Sequence, residues 1–425
     1  MKMNIMLERA QRLDQSDPLS DFRSLFHIPF KDGKSIIYFT GNSLGLAPKT
    51  AQTAIQQELN DWAKLGVEGH FHAKNPWYSY HEWFSPALAP LVGALPSEVV
   101  AMNQLSVNLH LLLASFYKPT KERYKIICEA KAFPSDLYAL QTHVAWHGLN
   151  PKDTIIEINS LPNKQILYTD QITDAIKEAG DSLALVMMGG VNYYSGQVLN
   201  MSAITKAAHE VGALAGFDLA HAIGNIPLQL HAWQVDFAAW CSYKYLNSGP
   251  GSVAGIFIHE KHAKNKELNR LGGWWGHNKD TRFQMEPDFD PIATAEGWQL
   301  SNAPVLSMAA HRSSLEVFHA AGIENVFKKG KELARFTKEI LTMIKNDFQT
   351  NYFDLITPCN DDECGCQVSL LFHQKGKEVF QALTDAGVVV DWREPNVIRL
   401  APVPLYNKFI EVYRFGNIIH QILSA

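Results

Sequence analysis

The chain has 425 residues, 46% apolar and 19% charged, with a net charge of −5, which is material for roughly two globular domains. No block of Lys or Arg occurs in it, which argues against docking on nucleic acid or on an anionic membrane. Five cysteines, an odd number in a long chain, point to reduced thiols and not to a disulfide framework.

The N-terminal stretch MKMNIMLERAQRLDQSD has no apolar signal-peptide core and carries acids that a transit peptide avoids. The most apolar stretches, such as Leu183–Val191, reach about half the length needed to span a bilayer. A cytoplasmic protein is expected. Residues 1–50 show no strand–helix alternation and are expected to pack with the C-terminal end. From residue 97 to 260, short apolar runs alternate with amphipathic segments, the pattern of a helix-covered, mainly parallel sheet. The predicted strands are Lys125–Glu129, Thr154–Ile158, Leu183–Met188, Ala213–Asp218 and Phe237–Ser242. The predicted helices between them are Pro134–Trp146, Ile172–Ala179 and Ser202–Val211. After Pro304, two long helical patterns precede Gln367–Phe372, Lys375–Ala386, Val388–Asp391 and Val397–Leu400, a smaller α+β unit closed by a final helix. The expected fold is therefore α/β, with a large domain over 51–303 and a small domain built from 1–50 and 304–425.

Ligands of open α/β sheets bind beyond the carboxyl ends of the strands, and four features fall at that edge. Ser106 precedes the helical run Val107–Tyr117 and reads as an N-cap, with first-turn amides behind it that can hold an anion. Phe133 stands before Pro134, at a strand–helix junction. Asp218 ends a central strand, where a carboxylate needs a cationic or hydrogen-bonding partner. Lys244 lies between two tyrosines in CSYKYLNSGPG. Singly these read equally well as a helix cap, a core aromatic, a buried acid and a strand end. Together they match pyridoxal 5'-phosphate: amides for its phosphate, an aromatic plate for its ring, a carboxylate for its ring nitrogen and an amine for its aldehyde. A desolvated lysine also loses its proton more readily.

Longer motifs carry a resemblance. Phe-Pro-Ser-Asp at 133–136, Phe-Asp-Leu-Ala-His-Ala-Ile-Gly-Asn at 217–225 and Asp-Phe-Ala-Ala-Trp-Cys-Ser-Tyr-Lys-Tyr-Leu-Asn at 236–247 resemble kynureninases. So do Gly-Asn-Ser-Leu-Gly at 41–45, Asn-Leu-His-Leu-Leu at 108–112, Gly-Trp-Trp-Gly-His at 273–277 and Ile-Arg-Leu-Ala-Pro-Val-Pro-Leu-Tyr-Asn at 398–407. The resemblance implies a fold-type-I pyridoxal-phosphate enzyme that cleaves kynurenine to anthranilate and alanine, as a homodimer. It implies Lys244 as the Schiff-base lysine, Tyr243 beside the phosphate and the reaction centre, and Asp218 as partner of the ring nitrogen with His221 next to it. It further implies Leu105, Ser106, Phe133, Pro134, Ser135 and Asp136 as cofactor contacts. Trp274 and Asn302 resemble groups that reach the cofactor across the dimer interface, and Arg399 resembles a clamp on the substrate carboxylate. His70, Ser301 and Asn302 fall where the family walls in the substrate's aryl ring. Their polar groups would favour a ring hydroxyl, so 3-hydroxykynurenine is the expected better substrate. Two positions depart from the family pattern: Thr40 replaces a frequent Asp, and Gly189 stands where some members have a serine near the cofactor.

The sequence also admits two other readings. A cysteine desulfurase would use Cys364 or Cys366 as sulfur acceptor, although such enzymes tend to stack a histidine where this chain has Phe133. A carrier that binds the cofactor without turnover would leave Arg399 and His70 without a purpose. Cys359, Cys364 and Cys366 cluster without a fourth ligand at metal-site spacing, so no metal is expected.

Overall fold

Strands covered on both faces read as continuous apolar runs, and this is how the central sheet is built. The computed structural model describes residues 2–161 and 165–425. Seven strands form the sheet: β1 (Val99–Ala101), β2 (Lys125–Glu129), β3 (Ile155–Ile158), β4 (Leu183–Gly189), β5 (Leu214–Asp218), β6 (Phe237–Trp240) and β7 (Gly255–Ile258). Their spatial order is β1-β7-β6-β5-β4-β2-β3. β7 runs antiparallel to both neighbours, and the pairs from β6 across to β3 are parallel.

Alternation along each strand divides the core in two. On β2, Ile126 and Cys128 pack with the helices Leu105–Phe116 and Pro134–Trp146, through Leu109, Leu112, Ala139 and Leu140. Ile127 faces the other way, toward Ile172 and Ile176 of Thr169–Ala179 and Ile204 and Ala208 of Met201–Glu210. Two expectations need correction. Helix Leu105–Phe116 starts before Ser106: Gln104 is the extended cap residue, and its carbonyl accepts the Asn108 N–H at 3.0 Å. The last predicted strand stops at Trp240, because β7 pairs only with Phe237–Trp240. Lys244 therefore sits on the loop that follows, not at a strand end.

A second core joins the two ends of the chain. Strands Phe353–Leu355, Val368–Phe372, Val397–Leu400 and Asp391–Arg393 form an antiparallel sheet in that order. Val388–Val389 pairs instead with Ile37–Tyr38, in parallel, so the stretch Val388–Asp391 is divided between two sheets. Ala10, Ile37 and Phe39 belong to the same apolar cluster as Leu333, Ile340, Leu400 and Phe415. Among the described residues, no helix is long and apolar enough to cross a membrane.

Candidate active site

Strands that run parallel deliver their following loops to one edge of the sheet, and there the loops enclose a cavity of about 300 Å³. Its lining includes Leu105, Ser106, Phe133, Ser135, Asp136, Asp218, His221, Tyr243 and Lys244. Most of the residues expected from the sequence thus meet in one place.

At one end two helices point their N-termini at the same spot. Ser106 lies in the first turn of Leu105–Phe116 and Ser135 in the first turn of Pro134–Trp146, with Pro134 at a position that needs no amide hydrogen. The two hydroxyls are 2.6 Å apart. The Ser106 hydroxyl is therefore turned outward to Ser135 rather than back onto its own helix. First-turn amides and the two hydroxyls of both helices can together hold an anion at this end.

The floor is acidic. Asp218, at the tip of β5, accepts the Ala220 N–H at 2.7 Å. Burial raises its carboxyl above the ordinary range, while a hydrogen bond from Asp136 and the charge of Lys244 work against that rise. Asp136 is pushed well above its ordinary value, first by burial and then by the Asp218 charge and hydrogen bond. Asp136 is thus the partner held protonated, and Asp218 the one whose ionised form its neighbours favour.

Lys244 Nζ lies 3.0 Å from His221 Nε2 and 5.8 Å from the centre of the Phe133 ring. Burial and then the Lys244 charge hold His221 well below its ordinary value. The imidazole is neutral, so Nε2 accepts from the lysine and Nδ1, which carries the proton, has no partner. Burial pushes the Tyr243 phenol well up, which keeps it protonated beside Lys244. The loop bearing Lys244 is fixed from behind: Gly45 N–H donates to the Tyr243 carbonyl at 2.8 Å. A Cβ at Gly45 would lie 2.2 Å from Asn247 Oδ1 and 2.4 Å from the Lys244 carbonyl oxygen. Only glycine permits that approach.

Six expected residues are absent from this lining; one of them, Pro134, begins the helix beside it. Ser301 and Asn302 are exposed and line an adjoining cavity of about 450 Å³ that shares Gln104, Val107 and Gly251 with the first. His70 Nδ1 pairs with the Val67 carbonyl at 3.0 Å, and its ring sits edge-on to Trp77. Trp274 is 46% exposed and donates to the Arg282 carbonyl. Arg399 is buried behind the cavity wall, paired through Nε with Asp391 at 2.6 Å and through Nη1 with the carbonyl of Tyr193, a cavity residue.

The sequence reading missed Glu129, Tyr193, Cys241 and Ser252, which also line the cavity. Tyr193 packs edge-to-face on Phe133 at 5.3 Å. Glu129 ends β2 as Asp218 ends β5, so the strand-tip argument that singled out one acid applies to the other. Cys364 and Cys366 are buried away from this cavity. Burial pushes both thiols up, Cys366 to about 12, and Cys364 Sγ accepts from Lys338 Nζ at 3.3 Å. Such thiols make poor sulfur acceptors.

A family model described as the kynureninase C-terminal domain matches residues 328–419. Over 415 residues the chain is 53% identical to a kynureninase of Flavobacterium psychrophilum, covering 98% of this chain and 97% of that one. It is 49% identical over 407 residues to a kynureninase of Myxococcus xanthus, covering 96% and 95%. Among solved structures, the cysteine desulfurase CsdA of Escherichia coli superposes with a TM-score of 0.76 at 15% identity, covering 96% and 98%. A cystine C-S lyase, C-DES, complexed with cysteine persulfide gives 0.74 at 17% identity, covering 92% and 97%. Both structures share the fold. With half its residues identical to named relatives over nearly its entire length, the chain belongs to the kynureninase family.

Proposed function

We propose that this chain uses pyridoxal 5'-phosphate to hydrolyse the Cβ–Cγ bond of L-kynurenine or 3-hydroxy-L-kynurenine. The products are anthranilate, or its 3-hydroxy form, and L-alanine, a step of tryptophan breakdown that feeds NAD biosynthesis. One observation carries the reading: Lys244 Nζ faces the Phe133 ring and bonds His221, in the cavity that also holds the Asp136–Asp218 pair and ends at two helix N-termini.

The donor set fits the cofactor. His221 Nδ1, Asp136 Oδ1, Glu129 Oε2 and Ser252 Oγ are buried without partners around this one cavity, and buried polar groups are normally paired. The carboxyl floor outnumbers its one ammonium, so a protonated ring nitrogen at Asp218 would relieve it. Ser106, Ser135 and the flanking amides would hold the phosphate, and Phe133 would stack on the ring. When bound, the cofactor supplies an electron sink for the substrate's α-carbon.

The chain's own groups do the rest. Lys244 Nζ moves the proton at the substrate Cα, with His221 Nε2 fixing its direction. The protonated Tyr243 hydroxyl orients the water that attacks the aryl ketone. Arg399 would hold the substrate carboxylate by exchanging its contact with the Tyr193 carbonyl on the cavity wall, with Asp391 keeping its other edge. Trp274 and Asn302 would complete the site of a second copy. Trp274, Phe283, Met285 and Phe289 support this, because they form an exposed apolar face beside an open cavity. The enzyme would work as a cytoplasmic homodimer, with the unit built from 1–50 and 304–425 closing on the unit 51–303.

The test is incubation with kynurenine and, separately, with cysteine. Stoichiometric anthranilate and alanine are expected. Sulfide from cysteine without anthranilate from kynurenine would refute the reading in favour of a desulfurase.

A further inference from the structure

Glu129 is 4% exposed, lines the cavity at the end of β2, and has an oxygen, Oε2, with no partner. The Asn192 side-chain amide lies beside the same carboxyl and opposes its rise. Asn192 is committed to that role, because its own Oδ1 already accepts the Tyr194 and Ser195 N–H groups. On the neighbouring strand β4, Gly189 has no side chain, and a Cβ there would stand 3.3 Å from Glu129 Oε1. The carboxyl occupies the space that a side chain at 189 would otherwise use.

We propose that Glu129 is a positioning residue whose buried, half-partnered carboxyl at the end of β2 sets the charge felt by the cofactor ring through the Asp136–Asp218 pair. This rests on the cofactor reading above. Burial raises the Glu129 carboxyl to about 7, with the Asp218 charge adding to the rise and Asn192 opposing it. Its charge is felt in turn by Asp136. The groups that face it across the cavity are Asp136, Asp218, Cys241, Tyr193 and Tyr243, all acids, together with the neutral His221 and the cation Lys244. Lys131 and Glu394 line a second cavity of about 430 Å³ on its other side. Glu157 of β3, the residue paired with Cys128, completes the set.

The sign follows directly. Above neutrality the ionised Glu129 favours a cationic ring, so the bound chromophore gives up its proton at higher pH than it would beside a neutral side chain. One unit charge at several ångströms, at an effective dielectric near 20, changes such an equilibrium by roughly tenfold or more.

The experiment is the absorption spectrum of the loaded protein against pH, together with equilibrium titration of the apoprotein with pyridoxal phosphate. Glu129→Gln should load, and its chromophore midpoint should fall by about one pH unit, a tenfold change. Glu129→Asp, which keeps the charge but withdraws it, should fall between the two. A merely structural role would weaken loading without moving the midpoint. If Glu129→Gln does not fold, the Glu129→Asp midpoint must still lie below that of the wild type. A wild type that takes up no pyridoxal phosphate would refute the functional reading itself. A wild type that loads, with midpoints superimposed on those of the variants, overturns this proposal alone.

Discussion

Replacing Asp218 by Asn should move stability and activity in opposite directions. The side chain is nearly isosteric, and Asn Oδ1 can still accept the Ala220 N–H now held at 2.7 Å. In the apoprotein the carboxylate is a burden, since burial raises it above its unfolded value. A carboxyl raised by folding costs stability above its unfolded pKa, about 1.4 kcal/mol for each pH unit of elevation. The amide removes that cost and also frees Asp136 of the neighbouring charge that helps to hold it protonated. With Asp218 facing the cofactor's ring nitrogen, as proposed above, the balance would reverse. A unit charge about 4 Å from a ring nitrogen, at an effective dielectric near 20, is worth about 4 kcal/mol, which is roughly a thousandfold in rate if the transition state depends on it. Thermal melts of the apoprotein at neutral pH should show Asp218→Asn equal to or above the wild type, while kcat for kynurenine falls by about three orders of magnitude. A kcat within tenfold of the wild type, or an apoprotein that melts lower, would refute the reasoning.

Gly45→Ala should cost at least tenfold in activity and about 1–3 kcal/mol in stability, read by kinetics and melting, because its Cβ meets Asn247 and the backbone of Lys244. Asp236 is fully buried; hydrogen bonds from His209 and His262 and the charge of Lys261 overcome its burial and hold it well below the usual carboxylate range. Its contribution is present above pH ~4 and fades as pH falls toward its folded value, so Asp236→Asn should cost roughly 3 kcal/mol at pH 7 and progressively less in melts below pH 4. Mixed dimers of Lys244→Ala and Trp274→Ala chains should regain activity that neither homodimer has, and a fully active monomer in sedimentation would contradict a shared site. The wild-type kcat/KM should favour 3-hydroxykynurenine, and the ratio should fall in a His70→Trp, Asn302→Thr double variant; an unchanged ratio would remove both residues from substrate choice.

What was legible in the sequence follows the physics of each element. β2 and the helix Pro134–Trp146 have the bounds read from pattern alone, since a strand of buried β-branched residues meets a proline that can only begin a helix. β1 and β7 were not legible. β1 has three residues, and β7 follows the Gly-Pro-Gly loop with no amphipathic partner, so neither has a period of its own. Ser106 was read as a cap because serine favours that position, yet the hydroxyl of Ser135 competes for it, and that contact spans 29 residues of sequence.

The site residues divide along a similar line. Asp218, His221 and Lys244 stand at or just past strand ends, where topology alone assigns them to one edge. Glu129 obeys the same rule and escaped only because an acid next to Ala-Lys-Ala carries no motif. His70 and Trp274 are a different case. Each is satisfied within its own chain by a backbone carbonyl, Val67 for one and Arg282 for the other. Under the homodimer proposed above, either would act in a second copy's site, and the exposed face of Trp274, Phe283 and Met285 is where that copy would dock. Pattern in one sequence reports how a chain covers its own strands, whereas a side chain serving a neighbour's cavity is selected by a surface that the chain itself does not contain.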